Sequence, residues 1–222
     1  MAIGDLEIDN VAQMFWQGVQ ARGAQVILRQ KQYGIWQAVT WTELGGAARE
    51  VAMGLAALGF EPGETASVQA NTNREWLYAD LGILCAGGVS NGIYPTDAAA
   101  QTEYLMSDSR SAYLFVEDEE QLDKALEVRE RLAGLRRVIV FDMEGLRELD
   151  DPQVMSLAQL RALGARYDAL HPGEWEKRIA SRQAADLALL VYPSAPTGQP
   201  NPPELSPRNH PEPLELPPAP FP

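Results

Sequence analysis

An apolar run, Leu187-Ala188-Leu189-Leu190-Val191-Tyr192, opens directly into Pro193-Ser194-Ala195-Pro196-Thr197-Gly198-Gln199-Pro200. A strand that ends in a Ser/Thr/Gly turn can aim backbone N–H groups and hydroxyls at anionic oxygens. Ser194, Thr197 and Gly198 are therefore the candidate ligand-binding residues, with a phosphate as the group they would bind. A short loop of this composition also fits an ordinary polar turn. The surrounding residues have to decide between the two.

Little else in the chain is equipped for chemistry. Cys85 is the sole cysteine, which excludes a disulfide framework and a metal cage of several thiolates. Its apolar neighbours Leu81-Gly82-Ile83-Leu84 and Ala86 read as the surroundings of a small buried hydrophobe. His171 and His210 are the only histidines, and nothing pairs them with that cysteine. The acidic run Glu117-Asp118-Glu119-Glu120 could bind a metal, but carboxylates at a helix start suit the helix dipole and need no ion. Tyr94-Pro95-Thr96 reads as a strand-to-helix turn with Thr96 as N-cap, and Trp41 and Trp76 as packing residues. No catalytic or metal-ligating residue is assigned.

The elements that must position the turn alternate along the chain. Val26-Ile27-Leu28 and Trp36 to Val39 flank a polar stretch with Gly34, the pattern of a hairpin. Thr40 and Glu43 match a capping box, and Leu44, Ala47, Ala48, Val51, Leu55 and Leu58 mark one face of the helix that follows. Gly59 ends it. Strands are expected at 65–69, 89–93, 113–116, 138–141 and 187–192. Helices are expected at 74–86, 98–106, 119–132, 156–163 and 174–181. Short apolar strands alternating with helices predict an α/β fold: a doubly wound, mainly parallel sheet with flanking helices, preceded by the small hairpin. Ligands in such sheets bind beyond the carboxyl ends of the strands.

Composition narrows the setting. The formal net charge is -13 over 222 residues, of which the segment from Pro193 onward carries -2. So acidic a body argues against a nucleic-acid partner. The N-terminus has no basic start followed by an apolar core, and no apolar run approaches the roughly 18 residues that span a bilayer. A cytoplasmic protein with no transmembrane segment is the default expectation, with peripheral membrane association left open. Twelve of the sixteen prolines fall in residues 193–222. That segment is expected to be disordered and to continue neither sheet nor helix. Two units follow: 1–192 as the ordered portion and 193–222 as the proline-rich tail.

Several stretches together resemble one family. They are Trp41-Thr42-Glu43-Leu44, Gly54 to Gly59, Pro62-Gly63-Glu64, Asn73-Arg74-Glu75-Trp76, Gly92-Ile93-Tyr94-Pro95-Thr96 and Leu114 to Asp118. Their order and spacing, from about Asp9 to Tyr192, resemble the adenylate-forming acyl-CoA synthetases, the AMP-dependent synthetase and ligase family, and most of all its long-chain fatty-acid branch. The resemblance implies an ATP-dependent ligase. A fatty-acid carboxylate attacks the α-phosphorus of ATP, with Mg²⁺ balancing phosphate charge, and coenzyme A then displaces AMP to give the thioester.

In that family the phosphate loop reads Tyr-Thr-Ser-Gly-Thr-Thr-Gly-x-Pro-Lys-Gly. Tyr192, Ser194, Thr197, Gly198 and Pro200 keep it; Pro193, Ala195, Pro196, Asn201 and Pro202 depart from it. Pro193 and Pro196 each remove an N–H and replace a hydroxyl, Ala195 restricts a tight turn, and Asn201 removes a positive charge. Each of these changes is reachable by base changes to C, as expected of a decayed or misread end. The family's later nucleotide motifs and mobile C-terminal domain would lie beyond residue 222. The expectation is a truncated N-terminal portion of an adenylation domain, inactive alone, poorly soluble, and able to associate with a missing C-terminal part. The rival expectation is a non-catalytic α/β module whose proline-rich tail, with its PxxP spacing at Pro217 to Pro220, binds a partner protein.

Overall fold

A computed structural model describes residues 10–192 and the short strand Glu204–Leu205. Helix α1 (Val11–Arg22) comes first, capped by Asn10, whose side chain accepts from the Gln13 N–H across 2.9 Å. The patterning above assigns nothing to this segment. Its buried residues, Ala12, Phe15, Gly18 and Val19, include two too small to mark an apolar stripe. Strands β1 (Val26–Gln32) and β2 (Ile35–Thr40) then form the antiparallel hairpin. The expected capping box starts α2 (Trp41–Ala57): the Glu43 carboxylate accepts from the Thr40 N–H, and the Glu43 N–H donates to the Thr40 hydroxyl. Gly59, at φ +81°, ends α2 with the Phe60 N–H on the Leu55 carbonyl and its own N–H on Ala56.

The main sheet is built from β3 (Thr65–Gln69), β4 (Val89–Ile93), β5 (Tyr113–Val116), β6 (Arg137–Val140), β7 (Val154–Ser156), β8 (Leu189–Leu190) and β9 (Glu204–Leu205). Their order is β7-β6-β5-β3-β4-β8-β9, parallel throughout except where β9 runs against β8. Helices α3 (Arg74–Cys85), α4 (Ala99–Asp108) and α5 (Glu119–Val128) connect the early strands; α6 (Leu157–Leu170) and α7 (Glu174–Ile179) precede β8.

Alternation along the strands divides the core in two. Ala66, Val68, Tyr113, Phe115 and Ile139 face α1, α2, α3, α6 and α7, while Val89, Ile93, Leu114, Val116, Val138 and Val140 face α4 and α5. The doubly wound α/β sheet is as expected. On the first face α2 and α6 meet almost backbone to backbone. A Cβ added to Gly164 would lie 1.8 Å from the Glu50 carbonyl oxygen, and one on Gly54 2.5 Å from that of Leu160. Ion pairs Arg49–Asp168 and Arg161–Glu50, both at 2.7 Å, span the same joint.

Three expectations need correction. The fifth expected strand is ordered as a strand over 189–190 only, and α5 stops at Val128, tightening into a 3-10 turn at Arg129–Arg131. The tail does supply a strand: Leu189 pairs with Leu205 and Leu190 with Glu204. Glu204 and Leu205 keep the N–H groups that the flanking prolines lack, and an edge position tolerates those prolines. The rest of the proline-rich tail lies outside the described residues.

Candidate functional site

Strand β8 enters the sheet beside β4, with Ser90 opposite Leu189, Asn91 opposite Leu190, and the Ser90 N–H donating to the Ala188 carbonyl across 2.9 Å. Leu190 and Tyr192 are buried on the α4 side. The Tyr192 hydroxyl donates to Asp108 Oδ2 across 2.7 Å. Burial, and then this bond, push the phenol above its ordinary range and hold it neutral. The residue just before the candidate loop is thus fixed. Ser194, Thr197 and Gly198 themselves follow it and lie outside the described residues.

The strand order gives the neighbourhood of that exit. From β3 the chain passes to β4 on one side, and from β4 it crosses back to β5 on the other. Connections from β3 and from its two neighbours therefore leave on opposite faces, the arrangement in which parallel sheets form a binding crevice at the carboxyl ends of the strands. Buried Gln69 closes its floor: its Nε2 donates to Thr102 Oγ1 across 3.0 Å and to the Tyr94 carbonyl across 3.4 Å. The Tyr94 ring stands 58% exposed at the rim. Thr96 is not an N-cap, contrary to expectation. Helix α4 starts at Ala99 behind Ala98 with no side-chain cap, and the turn is closed by the Asp97 N–H on the Tyr94 carbonyl at 3.0 Å. Burial pushes the Asp97 carboxyl up, against a backbone hydrogen bond at Tyr94 and the Lys124 charge.

The β3–β5 side of the crevice is tied by Glu117. Its Oε2 accepts from the Asn71 N–H at 2.7 Å and from Asn71 Nδ2 at 2.8 Å, and its Oε1 accepts from Asn73 Nδ2 at 3.3 Å. Asn73 Oδ1 in turn accepts from the Trp76 N–H at 2.8 Å, capping α3. The acidic run is thus split by role. Asp118 caps α5 through the Gln121 N–H at 3.2 Å, as a helix-start reading predicts. Glu117 instead joins two strand ends, a role that sequence reasoning missed because its partners lie 44 to 46 residues away.

One more acid is enclosed. Ser90 donates to Asp80 Oδ1 across 2.6 Å, between β4 and α3. Burial raises the Asp80 carboxyl to about 6 despite that hydrogen bond. Cys85 is buried, its thiol pushed up by burial and then by Asp80, so it is an inert core residue. Among the described residues no group of three or more His, Cys, Asp or Glu could hold a metal ion. No helix of the described residues is long and apolar enough to cross a membrane.

These groups do not make a triphosphate cradle. The described side chains at the crevice are carboxylates, carboxamides, the Thr102 hydroxyl and the Tyr94 ring, and none of them carries a positive charge. Two cations nearby are already engaged: Arg74 with Glu75 at 2.6 Å, and Lys124 with the Pro95 carbonyl at 2.7 Å and Glu120 at 3.2 Å. The loop sequence adds three prolines without N–H groups, Pro193, Pro196 and Pro202, and a neutral Asn201. ATP phosphates are poorly matched by this set.

Comparison with known proteins locates the fold. The family model described as AMP-binding enzyme matches residues 15–209. The long-chain-fatty-acid–CoA ligase FadD15 of Mycobacterium bovis is 31% identical over 91% of this chain, a stretch equal to 32% of that ligase. The long-chain-fatty-acid–CoA ligase ACSBG2 of Xenopus laevis is 29% identical over 86% of the chain and 25% of its own length. The chain thus spans between about a quarter and a third of the length of the curated relatives it matches. Among solved structures, the anthranilate CoA ligase AuaEII with anthranoyl-AMP superposes with a TM-score of 0.75 over 94% of this chain and 37% of its own, at 21% identity. The A domain of a carboxylic acid reductase from Segniliparus rugosus gives 0.72 over 92% and 37%, at 18% identity.

Proposed function

The chain belongs to the AMP-binding enzyme family, and we propose that it is the N-terminal portion of an ATP-dependent long-chain fatty-acid–CoA ligase. The carrying observation is the continuous family match from residue 15 to 209, laid over a parallel sheet that delivers β8 to the candidate loop. The names of the relatives support the long-chain substrate. In the whole ligase the substrates are a fatty acid, ATP and coenzyme A, with Mg²⁺ on the phosphates, in the cytoplasm. The portion 1–192 is the scaffold, and 193–222 begins with a degenerate phosphate loop in which Ser194, Thr197 and Gly198 are the surviving contacts. Alone the chain does not adenylate. Any activity requires association with the rest of such an enzyme.

The experiment compares ATP binding by the chain and by its P193T/A195G/P196T/N201K/P202G variant, using calorimetry with Mg²⁺ present. Restored N–H donors, glycine freedom and a lysine are expected to raise affinity about tenfold or more. Equal affinities sink the loop assignment. Acyl-adenylate detected by mass spectrometry from the unaltered chain with hexadecanoate and ATP overturns the claim of inactivity.

A further inference from the structure

The β1–β2 hairpin carries an exposed face that the folded body does not use. Its tip is Tyr33-Gly34, with φ +49° and +82°, the left-handed pair of a two-residue turn that Asn-Gly fills without strain. A tyrosine at such a position is strained, and here it gains no packing, since Tyr33 is 93% exposed. Next to it Ile35 and Trp36 are 68% and 63% exposed. Trp36 pairs across the ladder with Lys31, and Ala38 with Arg29, so the two cations flank the indole on one face. Both are exposed, and neither makes an ion pair among the described residues. From Gly23 to Thr40 there is no acidic residue, in a chain of net charge -13.

We propose that this hairpin docks the protein on an anionic lipid surface. Aromatic rings with a polar edge favour the headgroup layer, and lysine and arginine beside them meet its negative charge. The acidic remainder of the molecule is repelled by the same surface, which leaves the hairpin as the approach point. That repulsion is screened over about 8 Å at physiological salt. Gln30 fixes the orientation: its Oε1 accepts from the Arg74 N–H at the start of α3, across 2.8 Å. The hairpin therefore lies at the carboxyl end of the sheet, where the candidate site opens. A fatty carboxylate drawn from the bilayer would arrive at that end, a corollary that rests on the ligase reading; the docking itself does not.

Flotation of the purified full chain with vesicles tests it, one set of phosphatidylcholine alone and one with added phosphatidylglycerol, without nucleotide or fatty acid. Binding is expected to the anionic set and not to the neutral one. Each basic side chain near an anionic surface contributes about fivefold in partitioning, so R29Q/K31Q is expected to lose roughly twenty-five-fold. Tyr33→Asn and Trp36→Ser are expected to weaken binding as well. Asn suits the turn and Trp36 is exposed, so both variants fold, which circular dichroism verifies. Equal binding to the two vesicle sets, or parent-like binding by these variants, overturns the proposal. Self-association in vesicle-free solution that Trp36→Ser abolishes overturns it too, by making a second copy the occupant.

Discussion

Ser90 and Asp80 form an enclosed pair, the hydroxyl donating to Oδ1 across 2.6 Å. The folded carboxyl titrates near 6 instead of 3.8 because burial outweighs that hydrogen bond. Folding therefore takes up a proton between about pH 4 and pH 6, and stability falls as pH rises through that window. At neutral pH the buried charge costs at most about 3 kcal/mol, less whatever water reaches the partly exposed residue. Asp80→Asn keeps an acceptor for Ser90. It is expected to be the more stable protein at pH 7.5, with the gap closing toward pH 4. Urea unfolding at a series of pH values checks this, and parallel curves for the two proteins sink it.

Gly164 and Gly46 make opposite predictions for the same substitution. A Cβ on Gly164 would sit 1.8 Å from the Glu50 carbonyl oxygen, which is backbone and cannot swing aside. Gly164→Ala must push α6 off α2, at a cost of about 1–3 kcal/mol or more. Gly46 is exposed in α2, and a Cβ there meets nothing within 4 Å. Gly46→Ala is expected to add about 0.5–1 kcal/mol, since alanine is the better helix former. Thermal melts of the two variants should move in opposite directions.

Glu117 is the tie across the mouth of the crevice, accepting from one N–H and two carboxamides. Hydrogen bonds to a charged group contribute about 1.5–3 kcal/mol each when they cannot be replaced by water. These are partly solvated, so Glu117→Ala is expected to lose about 1–2 kcal/mol in total. The loss should also be local, with faster amide exchange at Asn71. Uniform exchange change across the sheet would contradict the role assigned to it.

The alternation was legible from the apolar strands β5 and β6 and from helices with a cap or a stripe, such as Thr40 with Glu43 and Ser156 with Gln159, although β3 and β4 bury Thr65, Ser67, Gln69, Ser90 and Asn91. Helix α1 was not, because Ala12 and Gly18 bury faces too small to register as apolar periodicity. Strand β7 is three half-buried residues, below what alternation can mark. Strand β9 was masked by prolines on both sides, although register with β8 needs no more than two N–H-bearing residues. At the site, the candidate loop rests on composition after a strand, and it lies outside the described residues. Its setting was not legible: Glu117 with Asn71, and Tyr192 with Asp108, join positions 46 and 84 residues apart. Only folding brings those groups together.

Arg178 ties three segments through one guanidinium. Its Nη1 donates to the Phe60 carbonyl at 2.6 Å and to that of Ala86 at 3.3 Å, just past the ends of α2 and α3, and its Nε donates to Glu174 at 2.9 Å. The side chain is buried, so removing it leaves two carbonyls and a carboxylate short of donors. Arg178→Met is expected to cost about 3–5 kcal/mol. Arg178→Lys, which keeps the charge and loses the fork, should cost roughly half as much. Burial raises the Glu174 carboxyl, but hydrogen bonds from Arg178 and then Lys177 outweigh it and leave it below its ordinary 4.5. The stability this pair contributes is present above that value and is lost as pH falls through the lower folded one. The penalty of Arg178→Met should therefore shrink in acid, as Glu174 takes up a proton and no longer needs its cation. Unfolding midpoints at pH 7 and pH 4 decide the matter, and a penalty independent of pH would leave the guanidinium with its carbonyl contacts alone.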